Sequence, residues 1–304
     1  MENCHVGVIG TGVMATGTAA LLIGNGYPTV MYGRSEESCE RGMTAVLEIL
    51  NDLVAHGCMS EGQKAKALPL LHVVSDYPAL ADCAFVIESA AETLETKREI
   101  MAKLEEVCAP SAILTSTTSA ISANEIAANM IHKERFMVVH SWNPPHLVPL
   151  VEIVMSEFTS REALRAETEL LEKLGRVPVV LKKDVAGFIG NRLQHALFRE
   201  AEHMVEEGVC TAEDIDKTIL YSIGLRYSSI GLMEYWDHIP TTLQSNIQTY
   251  LFPHLCNADR VSNLLEQKAA DGKDLYDWTT ERDVDYELRK RAPFYRFAAV
   301  TIEE

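Results

Sequence analysis

A histidine and a glutamate in neighbouring apolar stretches are the side chains of this chain best suited to acid–base chemistry. His140 ends one stretch, and Glu152 lies in the next, after the pair Pro144-Pro145. Because consecutive prolines exclude a helix, the chain can return as a strand that carries Glu152 beside His140. An imidazole held by a carboxylate can take a hydroxyl proton while a hydride leaves the carbon, which indicates alcohol oxidation. The alternative is that His140 is an ordinary core histidine.

A glycine-rich turn near the N-terminus is a candidate anion site. Residues 10–15 read GTGVMA, the GxGxxA spacing, between an apolar stretch and helical sequence. Gly10 permits the tight turn, Gly12 lets the backbone approach a pyrophosphate, and the small Ala15 lets the helix pack closely on the sheet. The free N–H groups of the helix start attract phosphate, so the turn favours dinucleotide binding over a merely tight connection. The predicted cofactor contacts of this turn are Gly10, Gly12, Val13, Met14 and Ala15.

The residues after the second apolar stretch bear on which dinucleotide is bound. Enzymes for NAD usually have Asp or Glu there to hold the ribose hydroxyls, whereas this chain has Gly33, Arg34 and Ser35. The guanidinium of Arg34 and the hydroxyl of Ser35 could bind a 2′-phosphate through charge-assisted hydrogen bonds. The sequence therefore favours NADP(H) over NAD(H). The alternative is that Arg34 is a surface residue that stacks on adenine while NAD still binds.

The elements that must position these residues follow from the order of apolar and helical stretches. Strand-like stretches alternate with helical sequence up to Asp184, which is typical of a parallel sheet with helices on both faces. Later residues are mostly helical, beginning at residues 187–207. We predict an α/β Rossmann domain with a mostly parallel sheet at residues 1–183 and an all-α domain at residues 184–304. The predicted strands are residues 5–9, 28–32, 72–75, 84–89, 112–115, 136–140, 150–154 and 177–181.

Composition narrows the class of protein. The chain has 304 residues, of which 47% are hydrophobic and 23% charged, as expected of a globular protein with two domains. Its formal net charge of -17 argues against nucleic acid and anionic membranes as partners. It has no apolar run of the roughly 18 residues that span a bilayer, and the N-terminus does not resemble a secretory signal. The seven cysteines are scattered and never spaced CxxC, which predicts reduced thiols in a cytoplasmic protein and no metal site.

Five motifs in order resemble those of the 3-hydroxyacyl-CoA dehydrogenase family, and the resemblance covers nearly the whole chain. One such motif is modest evidence, whereas five in the same order are specific. They are GTGVMATG at residues 10–17, IESAAE at residues 87–92 followed by Lys97, STTS at residues 116–119, HSWNPP leading to LVE at residues 140–152, and DVAGFIGNR at residues 184–192.

The resemblance implies an NAD(P)-dependent dehydrogenase that oxidises a secondary 3-hydroxyl to a ketone. His140 would be the general acid/base and Glu152 its partner. Ser119 and Asn191 would hydrogen-bond the substrate oxygen and stabilise the developing alkoxide. Family dimers form through the helical domain, so a homodimer is implied. The other implied roles are cofactor contacts by Glu92, Lys97 and Ser119, and a substrate or loop contact by Asn143.

Departures from the family pattern concern the cofactor most. Gly33 stands where the family has Asp, which puts NAD preference in doubt, and Thr117 stands where it has an Asn near the cofactor. Ala15 and Ala186 replace a glycine and a proline of the family motifs.

Two substrate classes remain open. Most members act on 3-hydroxyacyl-CoA thioesters, in fatty acid metabolism, whereas the λ-crystallin/L-gulonate 3-dehydrogenase and carnitine dehydrogenase types take small free hydroxy acids. Residues 224–227 (GLRY) resemble the λ-crystallin type. Arg226 could clamp a substrate carboxylate, and a surface salt bridge is an equal alternative. Residues 53–66 have only Lys64 and Lys66 as cations, which is sparse for the phosphates of CoA.

Two further classes of protein share part of this sequence pattern. An inactive, crystallin-like binding protein would not need the set Ser119, His140, Glu152 and Asn191. A hydroxyacid dehydrogenase with a lysine base shares the glycine turn but lacks the segment at residues 140–152.

Overall fold

The computed structural model describes residues 4–303, which divide into two compact units. The first unit contains the residues up to Ile189 together with those from Asp285 onward, and the second is Gly190–Val284. The sequence placed every residue after Asp184 in the helical domain, so the return of the C-terminal segment to the first unit is a difference from that prediction.

One eight-stranded sheet forms the centre of the first unit. Neighbouring strands are parallel except for the sixth and seventh, as expected of a mostly parallel Rossmann sheet. The strands are β1 His5–Ile9, β2 Thr29–Tyr32, β3 Leu71–Val74, β4 Cys83–Glu88, β5 Ile113–Ser116, β6 Phe136–Ser141, β7 Leu150–Met155 and β8 Val177–Leu181. Their spatial order is β3-β2-β1-β4-β5-β6-β7-β8. The strand order reverses between β1 and β4, where open α/β sheets bind their ligands.

Helices cover both faces of this sheet, so successive strand residues are buried on opposite sides. Val6 and Val8 of β1 pack in one hydrophobic cluster, and Ile9 packs in the other. Serine or threonine hydroxyls cap the second, third, fourth and sixth helices of the unit, which fixes where these helices begin. The helices of the first unit are α1 Val13–Gly24, α2 Glu36–Ala55, α3 Glu61–Ala67, α4 Leu94–Val107, α5 Ala123–Ala127 and α6 Arg161–Lys173.

The C-terminal segment packs against the rest of the first unit through apolar side chains and hydrogen bonds. Ala298, Val300 and Ile302 contact the hydrophobic cluster that includes α1, α2 and α6. The amide of Asn25 donates to the carbonyl of Ala299 at 2.8 Å, and the buried guanidinium of Arg176 donates to the carbonyl of Phe297 at 2.9 Å. These contacts join residues far apart in sequence, so no local pattern could predict them.

The second unit is helical, as the sequence predicts. Residues 190–284 are all described, and none of them is buried in the single chain. Leu193, Leu197 and Phe198 are each 44–57% exposed. Across residues 4–303, no helix combines the length and the apolar character needed to cross a membrane. The elements of the second unit are α7 Gly190–Glu206, α8 Ala212–Thr218, a π-helical turn at Ile219–Ile223, α9 Gly224–Tyr227, α10 Leu232–His238, α11 Thr241–Leu251, α12 Asn263–Asp271 and the start of α13 Thr280–Arg291.

Candidate functional site

The glycine turn joins β1 to α1 at the carboxyl edge of the sheet. Gly10 has φ +115°, and a Cβ there would lie 2.6 Å from the carbonyl oxygen of Ser89, so the position requires glycine. A Cβ at Gly12 would meet no atom within 4 Å, so this glycine borders open space. The two glycines therefore serve different purposes: Gly10 allows close packing against Ser89, which follows β4, and Gly12 leaves the backbone accessible.

The start of α1 suits an anion. Its N-cap is Gly12, which offers no side-chain cap, and the first turn contains no acidic residue. Val13 is 67% exposed, Met14 is half-buried, and Ala15 is fully buried against the sheet. The N–H groups of this turn, at the positive end of the helix dipole, are available to a pyrophosphate. The residues present thus fit a dinucleotide.

The segment after β2 explains the absence of a carboxylate there. A Cβ on Gly33 would lie 2.7 Å from Ser38 Oγ and 2.8 Å from Cys39 Sγ, in the first turns of α2. Ser35 is the N-cap of α2, and its hydroxyl accepts from the backbone N–H of Ser38 at 3.2 Å. Arg34 is exposed, and its guanidinium forms no ion pair with any residue from 4 to 303. Close packing of α2 is therefore one reason for glycine at position 33.

The antiparallel strands β6 and β7 bring the predicted acid–base pair together. Their register places His140 opposite Glu152, and Nδ1 of the imidazole lies 2.9 Å from Oε2 of the carboxylate. His140 is 7% exposed and Glu152 only 1% exposed. Because Glu152 engages Nδ1, proton exchange with a substrate would use Nε2. The Pro144-Pro145 turn lies between the two strands, as the sequence predicts.

Residues that sequence reasoning missed complete the surroundings of Glu152. Its Oε1 accepts from the backbone N–H of Ile189 at 2.8 Å, and Trp142 Nε1 lies 3.4 Å from Oε2. Phe188 is 1% exposed, and its ring centroid lies 5.3 Å from that of His140. Phe188 has φ +50°, an unfavourable value for a bulky residue. Phe188 and Ile189 thus contact His140 and Glu152 from a strained turn. In the sequence, only the neighbouring Gly187 indicates such a turn.

Glu92, Lys97 and Ser119 meet at the carboxyl ends of β4 and β5. Oε1 of Glu92 accepts from the backbone N–H of Ser119 at 2.9 Å and from the hydroxyl of Thr118. Its Oε2 lies 3.1 Å from Nζ of Lys97. Partial burial raises the pKa of Glu92, but the hydrogen bond from Thr118 and the charge of Lys97 outweigh it, so the pKa lies below its usual value. Glu92 is therefore an anion at neutral pH.

The remaining predicted residues belong to a loop of the first unit and to helices of the second. Asn143 is exposed in the turn between β6 and β7. Asn191 and Arg226 belong to the second unit, Asn191 in the first turn of α7 and Arg226 in α9. The guanidinium of Arg226 lies over the ring of Tyr235, 4.3 Å from its centroid, in a cation–π contact. Among residues 4–303, no group of three or more His, Cys, Asp and Glu side chains is placed to hold a metal ion.

Comparison with known proteins gives the same family for both units. Residues 5–185 match the family model "3-hydroxyacyl-CoA dehydrogenase, NAD binding domain", and residues 187–275 match "3-hydroxyacyl-CoA dehydrogenase, C-terminal domain".

Individual relatives extend over most of the chain. L-carnitine dehydrogenase of Streptomyces coelicolor is 31% identical over 93% of this chain and 92% of its own. 3-Hydroxyadipyl-CoA dehydrogenase of Escherichia coli is 32% identical over 91% of this chain and 60% of its own. The crystal structure of 5-formyl-3-hydroxy-2-methylpyridine 4-carboxylic acid 5-dehydrogenase, an NAD+ dependent dismutase, has a TM-score of 0.86 at 26% identity over 97% of both chains. Together with the family models, these matches show that the chain belongs to the 3-hydroxyacyl-CoA dehydrogenase family and is an NAD-binding oxidoreductase that acts on CH–OH groups.

Proposed function

We propose that the chain interconverts the secondary hydroxyl of a small free hydroxy acid and the corresponding ketone, with His140 as general acid/base. The observation that carries the proposal is the buried contact of 2.9 Å between His140 Nδ1 and Glu152 Oε2. The carboxylate holds the imidazole in the tautomer whose Nε2 can accept a proton, and it stabilises the imidazolium that results.

The proposed oxidation removes one proton and one hydride from the alcohol. Nε2 of His140 takes the hydroxyl proton, the C–H bond breaks with its electron pair, and a carbonyl double bond forms. The nicotinamide of the dinucleotide supplies the hydride acceptor. We propose that Ser119 and Asn191 hydrogen-bond the substrate oxygen as its negative charge develops. Ser119 follows β5, which pairs with the strand that contains His140.

Three observations support a free acid over a CoA thioester. The relative with 31% identity over nearly its whole length is an L-carnitine dehydrogenase. Nζ of Lys64, one of the two cations in residues 53–66, lies 2.6 Å from a carboxylate oxygen of Glu61 and is thus already paired. The exposed guanidinium of Arg226 lies over the ring of Tyr235, and a guanidinium can clamp a carboxylate through two parallel hydrogen bonds.

Turnover of a substrate panel tests both the reaction and the substrate class. We expect L-carnitine or another free 3-hydroxy acid to be oxidised at least tenfold faster than 3-hydroxybutyryl-CoA. The converse ratio would place the chain with the E. coli 3-hydroxyadipyl-CoA enzyme. His140→Ala should lower kcat by about 10²–10⁴-fold while cofactor affinity is unchanged. The exposed His72→Ala serves as the matched control, and near-normal turnover of His140→Ala would refute the mechanism.

We also propose that NADP(H) binds more tightly than NAD(H). The exposed guanidinium of Arg34 and the missing carboxylate at Gly33 support this, whereas Glu36 and Glu37 in the first turn of α2 oppose an added phosphate. Fluorescence titration should give a lower Kd for NADPH than for NADH. Arg34→Ala should weaken NADPH binding about tenfold and leave NADH binding unchanged. Arg161→Ala, at an exposed arginine that begins α6, is the control. Tighter binding of NADH to the unmodified chain would reverse the assignment.

A homodimer through the second unit is the third proposal. A helical unit in which no residue of 190–284 is buried lacks a core of its own, and a second copy can cover its apolar side chains. Light scattering should give about twice the chain mass of 33.8 kDa. A monomeric mass would exclude the dimer.

A further inference from the structure

A buried carboxylate at the end of β4 has not yet been given a role. Glu88 is 0% exposed in an otherwise apolar strand. Its Oε1 accepts from the backbone N–H of Ala90 at 2.6 Å, and its Oε2 accepts from the hydroxyl of Ser116 at 2.5 Å. Nζ of Lys97 lies 3.1 Å from both oxygens. A buried ion pair of this kind adds little stability over apolar residues of the same size, so stability does not explain it.

The ammonium of Lys97 connects Glu88 to the candidate site. Lys97 is 1% exposed, and besides Glu88 it contacts Oε2 of Glu92 at 3.1 Å. Oε1 of Glu92 in turn accepts from the backbone N–H of Ser119. Charge-assisted contacts therefore run without a gap from Ser116 through Glu88, Lys97 and Glu92 to Ser119.

The charges of this chain of contacts explain why a second carboxylate is needed. Two carboxylates lie beside one ammonium, and because the carboxylates repel each other, each limits how closely the other can approach it. Without the charge of Glu88, the buried ammonium of Lys97 would have Glu92 as its only anionic partner in this network. Glu92, the half-exposed member at 44% exposure, would be drawn inwards and away from the N–H of Ser119.

We propose that Glu88 is a positioning residue which, through Lys97 and Glu92, fixes the turn that carries Ser119. The expected effect of Glu88 on turnover rests on the proposed function of Ser119. Its effect on the position of the turn does not, because that can be measured without any reaction. Ser116 assists by orienting the carboxylate of Glu88.

Amide hydrogen exchange tests the positioning role without any reaction. Glu88→Gln keeps the shape of the side chain and removes its charge. We expect the N–H of Ser119 to exchange at least tenfold faster in this variant, with protection of the β1 strand unchanged. Glu99→Gln, an exposed glutamate of α4, is the matched control. If Glu88→Gln folds poorly, Ser116→Ala should show the same change at a smaller size, and unchanged exchange at Ser119 would overturn the proposal.

A double-mutant cycle tests whether Glu88 acts through Glu92. Glu88→Gln should lower kcat tenfold or more with little change in KM, and it should have almost no further effect in a Glu92→Gln background. Full additivity of the two substitutions would refute the proposed connection. If the unmodified protein oxidises no hydroxy acid, the proposed function fails, whereas the exchange measurement still decides the role of Glu88.

Discussion

At the scale of single residues, Glu152 connects most of the candidate site. It contacts His140, Trp142 and the backbone of Ile189 while 1% exposed. Glu152→Gln removes the charge that stabilises a protonated imidazole and can favour the wrong tautomer. We expect kcat to fall about 10²–10⁴-fold, by analogy with a histidine that loses its carboxylate in a catalytic triad. Steady-state kinetics and cofactor titration check this, with the exposed Glu157→Gln as control, and a loss of cofactor affinity instead of rate would contradict it.

Glu167 of α6 provides a second test at this scale, on stability. It is 0% exposed, and within the described residues neither carboxylate oxygen has a hydrogen-bond partner. Burial raises the pKa of Glu167 from 4.5 to about 8. Between these two pKa values, the folded state keeps a proton on Glu167 that the unfolded state releases. The contribution of this protonated side chain to stability is complete below pH 4.5 and is lost as the pH rises through about 8.

Replacing Glu167 with methionine should abolish this pH dependence. In urea unfolding, Glu167→Met should gain more stability over the unmodified protein at pH 9 than at pH 5. The control is Glu169→Met, at an exposed glutamate two residues after Glu167. Its effect on stability should be the same at pH 5 and pH 9. An equal effect at both pH values would show that Glu167 titrates normally.

The sequence could indicate a site residue where a local motif places it, and could not where tertiary packing does. His140 and Glu152 were predictable as a pair because a proline turn excludes a helix between their two strands, which then pair as neighbours. Gly10 and Gly12 follow from a local motif. Glu88 gave one signal that was overlooked, a charged residue ending an apolar strand. The strained Phe188 gave almost none, because its conformation depends on packing against His140.

At the scale of elements, the strands were predictable and the C-terminal segment was not. Buried parallel strands are short continuous apolar runs, so all eight strands could be located. The segment from Ala298 to Ile302 forms neither a strand nor a helix and depends on partners such as Asn25. Its docking is a matter of tertiary contacts, which hydrophobic periodicity does not encode.

The contacts of Asn25 allow the docking of this segment to be measured. The buried amide donates to the carbonyls of Leu21 and Ala299, both at 2.8 Å, and its oxygen accepts from the hydroxyl of Thr301. Asn25→Ala should cost about 1–3 kcal/mol of unfolding free energy, because buried carbonyls lose their donor. It should also make the C-terminal segment more sensitive to carboxypeptidase. The exposed Asn129→Ala should change neither, and resistance of the Asn25 variant would show that apolar packing alone holds the segment.

At the scale of the whole molecule, the two units differ in where their stability can come from. The first unit has two hydrophobic clusters, whereas the second has no buried residue within 190–284. Leu193 and Leu197 lie one helical turn apart on α7, and both are more than half exposed. If a second copy covers this face, association and folding are linked, and stability must depend on protein concentration.

Thermal unfolding at two protein concentrations tests this linkage. The midpoint of the unmodified protein should rise by a few degrees when the concentration is raised a hundredfold, because mass action favours the associated folded state. Leu197→Glu places a charge in the proposed interface, so its midpoint should be lower and independent of concentration. Leu47→Glu, at an exposed leucine of α2 in the first unit, should keep the dependence of the unmodified protein. A concentration-independent midpoint in the unmodified protein would mean that the helical unit is stable without a second copy, despite its exposed apolar face.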